Sequence, residues 1–188
     1  AARFVNNAGS GALSVTGGGN WQVWSSNVSP FDASAAIADS RGGLSFNYKQ
    51  YNVIYGSSTV LGTGNGFLYS YAPTLTASLT GTVTKTYDRL TTATLGSVNY
   101  SLSGTVDSDV VVLNNPSSGS YTSQGSGVGT KDVGTGKTVS VSGISISSAL
   151  NSGETVYGYT VNSSASANIG VITQRALTVT AIATASST

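Results

Sequence analysis

The sequence predicts an all-β protein, and three observations predict it. Helix signals are nearly confined to "DASAAIADSR", 32–41, where Asp32 is placed to cap a turn or two. Almost everything else reads as short, alternating runs rich in Val, Thr and Tyr. Gly, Ser and Asn punctuate those runs at the spacing of sandwiches, barrels or stacked β-coils.

Taken in order, the first strand candidates are "ARFVN", "ALSVTG", "WQVWSS", "LSFNYKQY", "NVIYG" and "GFLYSYA". Trp21, Trp24 and most of the tyrosines fall between residues 21 and 87. Gly and Asn break this part repeatedly, as the corners of a parallel β-coil require, and stacked Asn side chains would bond one another there. After Pro73 the candidates are "TLTASLTGTVTKTY", "TTATLG", "NYSLSG", "VVVLN", "GSYTSQ", "TVSVSGISIS", "TVYGYTVN", "IGVITQ" and "ALTVTAIAT". This second texture suits a sandwich of aligned sheets. A boundary is expected at about 72–84, dividing an aromatic-rich β-coil end, 1–75, from a β-sandwich, 76–188.

Composition narrows the function. Only 8% of the 188 residues are charged and the net charge is +1, against about a quarter charged in most globular proteins. That balance, with no basic cluster, excludes nucleic acid and anionic membranes as expected partners. No apolar run reaches the roughly 18–20 residues of a membrane span. The chain has no Cys, His or Met, so thiol nucleophiles, imidazole bases and the usual zinc, haem and iron–sulfur ligands are missing. No cofactor is expected, and the fold should survive chelators and reductants. Ser, Thr and Gly richness with few Lys and Glu suits an exported bacterial surface protein. "AARFVNNAGS" lacks the apolar centre of a signal peptide, and the chain begins in mid-pattern, like a piece of something longer.

"GTGKT", 134–138, ends like a nucleotide-binding loop. The pattern G-x-x-x-x-G-K-[ST] requires glycine where Lys131 stands. A helix should follow, yet "TVSVSGISI" alternates as a strand. Thr135 and Gly136 therefore read as turn residues, with Lys137 entering a strand.

Three further stretches carry a family likeness: "GGLSFNYKQYNVIYG" at 42–56, "GTGNGFLYSYAPTL" at 62–75 and "TVTKTYDRLTTATL" at 82–95. They resemble the end of the β-helical shaft in filamentous-haemagglutinin-like, two-partner-secretion exoproteins. The third resembles the signature of YDG-type repeat domains, small bacterial Ig-like β modules. "KDVGTGKTVSVSG", 131–143, and "ITQRALTVTA", 172–181, resemble the same module's second half and its closing strand. The resemblance covers about residues 3 to 181 and implies an Ig-like sandwich after a β-helix-like segment. It carries no catalytic residues. The motif is Tyr87, Asp88 and Arg89, and Arg89 stands where the family has glycine. Arginine at positive φ costs roughly 1 kcal/mol or more unless the turn is reshaped.

Candidate sites are few. Asp107 and Asp109 lie two apart in "VDSDVV", a spacing open to Ca²⁺, although a solvated hairpin explains them better. Asp88 with Glu154 forms a weak glycosidase pair, and Asp88 is better suited to accepting backbone N–H bonds. Lys85 with Asp88 and one of Asn99, Asn151 or Asn162 is conceivable as an isopeptide crosslink, but an exposed strand lysine is the simpler reading. Trp21, Trp24, Tyr48 and Tyr51 are candidate sugar-stacking residues, with capping of the β-coil preferred. Trp21 and Trp24 are three apart and should face opposite sides. The uncharged tail 176–188 offers an assembly strand through Leu177, Val179 and Ile182, expected to pair within its own module or with another copy. The expectation is a non-enzymatic structural segment of a secreted bacterial adhesin or extracellular fibre. Its partners would be itself and surface glycans, the latter also defining the alternative of a carbohydrate-binding module.

Overall fold

A computed structural model gives the structure of the protein, describing residues 3–33, 37–123 and 130–180. The described residues are all-β, as expected, with one short 3₁₀ turn at Ser97–Asn99. The expected helix at 32–41 does not form in its described part, which holds only turns and a bridge; 34–36 lie outside the described residues.

Six short strands precede that turn: β1 (Gln22–Ser25), β2 (Tyr48–Gln50), β3 (Gly66–Tyr69), β4 (Thr74–Leu79), β5 (Val83–Thr86) and β6 (Thr92–Thr94). Eight follow: β7 (Tyr100–Ser103), β8 (Val110–Leu113), β9 (Ser118–Ser123), β10 (Gly134–Ser142), β11 (Ile146–Asn151), β12 (Glu154–Tyr157), β13 (Thr160–Val161) and β14 (Ser164–Thr173). They form sheets ordered β1-β3-β2-β12-β11-β8, β5-β14-β10-β9-β6 and β13-β4-β7.

The last two sheets face each other across one core. Alternation drives this: β4 buries Leu75, Ala77 and Leu79 and exposes Thr74, Thr76 and Ser78. Ala77 and Leu79 meet Val83, Ala93, Tyr121, Val139, Val141 and Ile172 from the five-stranded sheet. This is the sandwich expected after Pro73. Lys137 lies in β10 as expected, at a register shift, and it is buried.

The six-stranded sheet buries both faces. On one, Phe67, Tyr69, Ala149 and Val156 pack with Leu44 and Tyr51. On the other, Tyr48 and Leu68 pack with Val53. The expected boundary at 72–84 does not divide this sheet. β2 pairs in parallel with β12, so the segment before Pro73 and the module after it share one ladder. The expected β-coil is present only as local parallel pairing: β1, β3 and β2 are parallel, but β3 sits between the other two rather than following them. The asparagines bond backbone instead of stacking. Asn6 donates to the carbonyls of Gly9 and Arg41, and the Asn65 carbonyl oxygen accepts from the N–H of Trp21.

The family turn is as the motif implies. The Asp88 carboxylate accepts the Leu90 N–H at 2.9 Å and meets the Lys85 ammonium at 2.7 Å. The lysine contact, then the Leu90 bond, hold the Asp88 carboxyl below its usual range. Arg89 takes φ +69°, so the turn keeps the left-handed geometry that glycine favours. Arg89→Gly should therefore stabilise the protein by up to about 1 kcal/mol in denaturant unfolding. Destabilisation would show instead that the Arg89 side chain makes a stabilising contact.

Candidate functional site

A lysine stands in the middle of the aromatic face. Lys49 occupies the centre of β2, opposite Phe67 on one side and Val156 on the other, so strand alternation points it the same way as those apolar residues. Its side chain is fully buried. The Nζ lies 5.7 Å from the Phe31 ring centre and 5.4 Å from that of Tyr51.

Two aspartates meet it. The Nζ donates to Asp107 Oδ2 and to Asp109 Oδ1, both at 2.5 Å, and to the Tyr51 hydroxyl at 3.0 Å. Both carboxylates come from the bend leading into β8, where Asp107 and Ser108 hold positive φ and Asp109 N–H closes onto the Val106 carbonyl. Asp107 is a non-glycine residue in a left-handed conformation, a kind of backbone strain that concentrates at functional sites. These aspartates do not form the solvated hairpin expected of them, since the Asp109 side chain is fully buried and that of Asp107 nearly so. Asp109 is buried, because the bend folds its carboxylate under the sheet rather than into water.

The rest of the cluster saturates Asp109. Its Oδ1 also accepts from Asn151 Nδ2 at 2.7 Å, and the same amide donates to the Asp107 backbone carbonyl at 2.7 Å. Its Oδ2 accepts from the hydroxyls of Tyr51 at 2.6 Å and Tyr159 at 2.9 Å. Asn151 is placed by the tight β11–β12 hairpin, where it pairs with Glu154 across Ser152 and Gly153, both at positive φ. Arg41 completes the charges, meeting Asp107 Oδ1 at 2.8 Å while lying over the rings of Phe46 and Phe67. Two cations thus face two carboxylates.

Burial pushes the phenols of Tyr51 and Tyr159 well above the ordinary tyrosine range, and the Asp109 carboxylate beside them adds to it. A raised phenol stabilises the fold below its unfolded pKa of about 10 and loses that stabilisation as pH rises beyond it. Alkaline titration should therefore show tyrosinate absorbance from these two rings appearing with unfolding, in one cooperative step above about pH 10. Their ionisation in a still-folded protein would contradict the packing described.

Two clefts, of about 490 and 380 Å³, open on either side of Pro30 and Phe31, and both reach Asp107. Arg41 and Asp39 line the smaller one. Each has a buried side-chain atom without a hydrogen-bond partner, Nη1 of Arg41 and Oδ2 of Asp39. Among the described residues no group of three or more His, Cys, Asp and Glu is placed to hold a metal ion.

The residues singled out from sequence divide sharply. Tyr48 and Tyr51 are 1% exposed, which corrects their candidacy for sugar stacking. The Tyr48 ring fills the space above Gly62 and Gly66, where any Cβ would strike it. Trp21 packs edge-on to Phe67 and Trp24 edge-on to Tyr55, on opposite faces of the sheet. Trp24 and Tyr55 border a shallow groove with Ile54 and Ser70. Lys85 donates to the carbonyls of Leu90 and Thr92 and pairs with Asp88, so it does not face the candidate asparagines. Asn162 bonds to the backbone of Ala77 in β4, and Asn99 to the carbonyls of Thr80 and Thr82 in the β4–β5 connection. Residues 174–180 form no strand, and Leu177 and Val179 are 87% and 80% exposed; Ile182 lies outside the described residues. Self-pairing of that segment is not seen in its described part. Lys49 was missed because "NYKQY" reads as alternating surface and core, and nothing local shows that both strand faces are covered.

The YDG domain model matches residues 71–169. No curated protein and no solved structure matches the chain. The matched span holds Asp107, Asp109, Asn151 and Tyr159, whereas Arg41, Lys49 and Tyr51 precede it. As the match takes in more than half of the chain, the protein belongs to the YDG domain family.

Proposed function

We propose that the chain is a structural segment of a secreted bacterial surface adhesin or extracellular fibre. One observation carries the reading: the YDG module is not strung on a free linker but shares a sheet with the segment before it. β2 and β12 pair residue by residue, and Lys49 and Arg41 before the module meet Asp107 and Asp109 within it. Such a joint keeps two units aligned under pull, as a stalk requires. The low charge and the filamentous-haemagglutinin-like sequence pieces favour the same setting. An antibody against this chain should label intact cells of the source organism or their shed fibres. Labelling only after permeabilisation would reject the proposal.

Self-association is part of it. β8 ends the six-stranded sheet with Val110 and Val112 exposed, and the exposed tail carries Leu177 and Val179. A tail strand from a second copy would extend an open ladder of this kind. Removing 176–188 should abolish assembly and leave the monomer's melting temperature unchanged; assembly by the truncated chain would exclude the tail.

A second reading rests on the Trp24–Tyr55 groove, with Tyr55 78% exposed. Rings set this way stack on sugar faces. Polysaccharide pull-down lost on Tyr55→Ala would favour a carbohydrate-binding module.

A further inference from the structure

Two features of the buried cluster go beyond a structural ion pair. A fully buried lysine is costly to desolvate, and a buried pair often stabilises no more than apolar residues of the same volume. The cluster also places an amine and a carboxamide against one oxygen. Asp109 Oδ1 touches Lys49 Nζ at 2.5 Å and Asn151 Nδ2 at 2.7 Å. That is the arrangement an acid–base group needs between a nucleophile and its leaving group. Aromatic rings close the surroundings, with Phe31 and Tyr51 against the amine.

We propose that Lys49 and Asn151 become joined by an intramolecular isopeptide bond, formed by the protein on itself with Asp109 as the catalytic proton carrier. Asp109 takes one proton from the Lys49 ammonium. The neutral Nζ attacks Cγ of Asn151, and a carbon–nitrogen bond forms. The tetrahedral carbon expels Nδ2, Asp109 relays a proton from Nζ to it, and ammonia leaves. A secondary amide remains. No oxidant, metal or cofactor enters, since an ammonium, a carboxylate and a carboxamide become an amide, ammonia and a carboxylic acid.

The charges stay balanced throughout. Before the reaction, Arg41 and Lys49 face Asp107 and Asp109. Afterwards Lys49 is neutral, Asp109 keeps the ammonium's proton, and Arg41 still pairs with Asp107. Tyr51 and Tyr159 hold Asp109 Oδ2 during the exchange and fix which oxygen faces the reacting atoms. The clefts reaching Asp107 give ammonia a way out. The bond would tie β2, before the YDG module, to β11 inside it, making the shared sheet a covalent joint. The chemistry depends only on the folded chain and not on its location.

Intact-mass measurement of the folded, then denatured, protein tests this directly. The expected mass is below the sequence mass by one ammonia. Trypsin should then yield one product joining residues 42–85 to 138–175, uncut after Lys49. Lys49→Met should have its full sequence mass and, if folded, a lower melting temperature than the crosslinked chain. Asp109→Asn should retain the ammonia or lose it far more slowly. A full sequence mass with Lys49 cleaved normally would overturn the proposal. So would loss of ammonia with Lys49 still free, since that is cyclisation of an asparagine alone. Crosslinking of Asp109→Asn at the rate of the unaltered chain would overturn the role of Asp109.

Discussion

Asp109→Ala should lower stability by at least about 3–5 kcal/mol, the range for breaking a buried charge pair from one side, before the lost crosslink is counted. Four donors lose their acceptor at once: Lys49 Nζ, Asn151 Nδ2 and the hydroxyls of Tyr51 and Tyr159. The stranded ammonium then leans on Asp107 alone, which Arg41 already shares and whose side chain is 15% exposed. Asp107→Ala should cost less, because Asp109 stays to hold the amine. Denaturant unfolding of both variants checks the order. A loss below about 1 kcal/mol for Asp109→Ala would mean that water reaches the cluster and that the pair behaves like a surface one.

Gly158→Ala is expected to destabilise by about 2–5 kcal/mol, adding a left-handed backbone cost to a clash that cannot relax. Gly158 holds φ +88°, and a Cβ there would run into the backbone of Tyr51 rather than into a flexible side chain. Tyr51 is fixed from the same direction, since its N–H donates to the Tyr157 carbonyl at 3.0 Å. Pushing it away moves its hydroxyl off Asp109 and Lys49, so the variant should lose the cluster as well as stability. Gly153→Ala is the control. Gly153 has φ +92° but open space around it, so only the conformational cost of roughly 1–2 kcal/mol remains. Equal thermal shifts for the two variants would mean that the close approach to Tyr51 is not tight.

The sequence by itself determined the class of the fold and most of its strands. Alternation in "TLTASL" and "TVSVS" sets which side chains enter the sandwich core, because a strand's period of two ties burial to local order. The YDG-type turn was legible for the same reason: Asp88 bonds two residues ahead, and the positive φ at Arg89 belongs to the turn itself. The turn-and-strand reading of "GTGKT" was local too, and Lys137 lies in a strand.

What only the tertiary structure decided lies between strands far apart in sequence. Nothing near Lys49 shows that β12 will lie beside it, so an alternating "NYKQY" looked like a strand with one wet face. Asp107 and Asp109 looked like turn formers because their partners are 58 and 60 residues away. The parallel β2–β12 ladder joins the chain before the YDG module to the module itself, and burial on both faces of that sheet turns an ordinary lysine into a desolvated amine between two carboxylates. Pattern within a segment fixes how a strand alternates; which strand covers its other face, and therefore which polar groups must find each other out of water, is settled only by the assembled sheets.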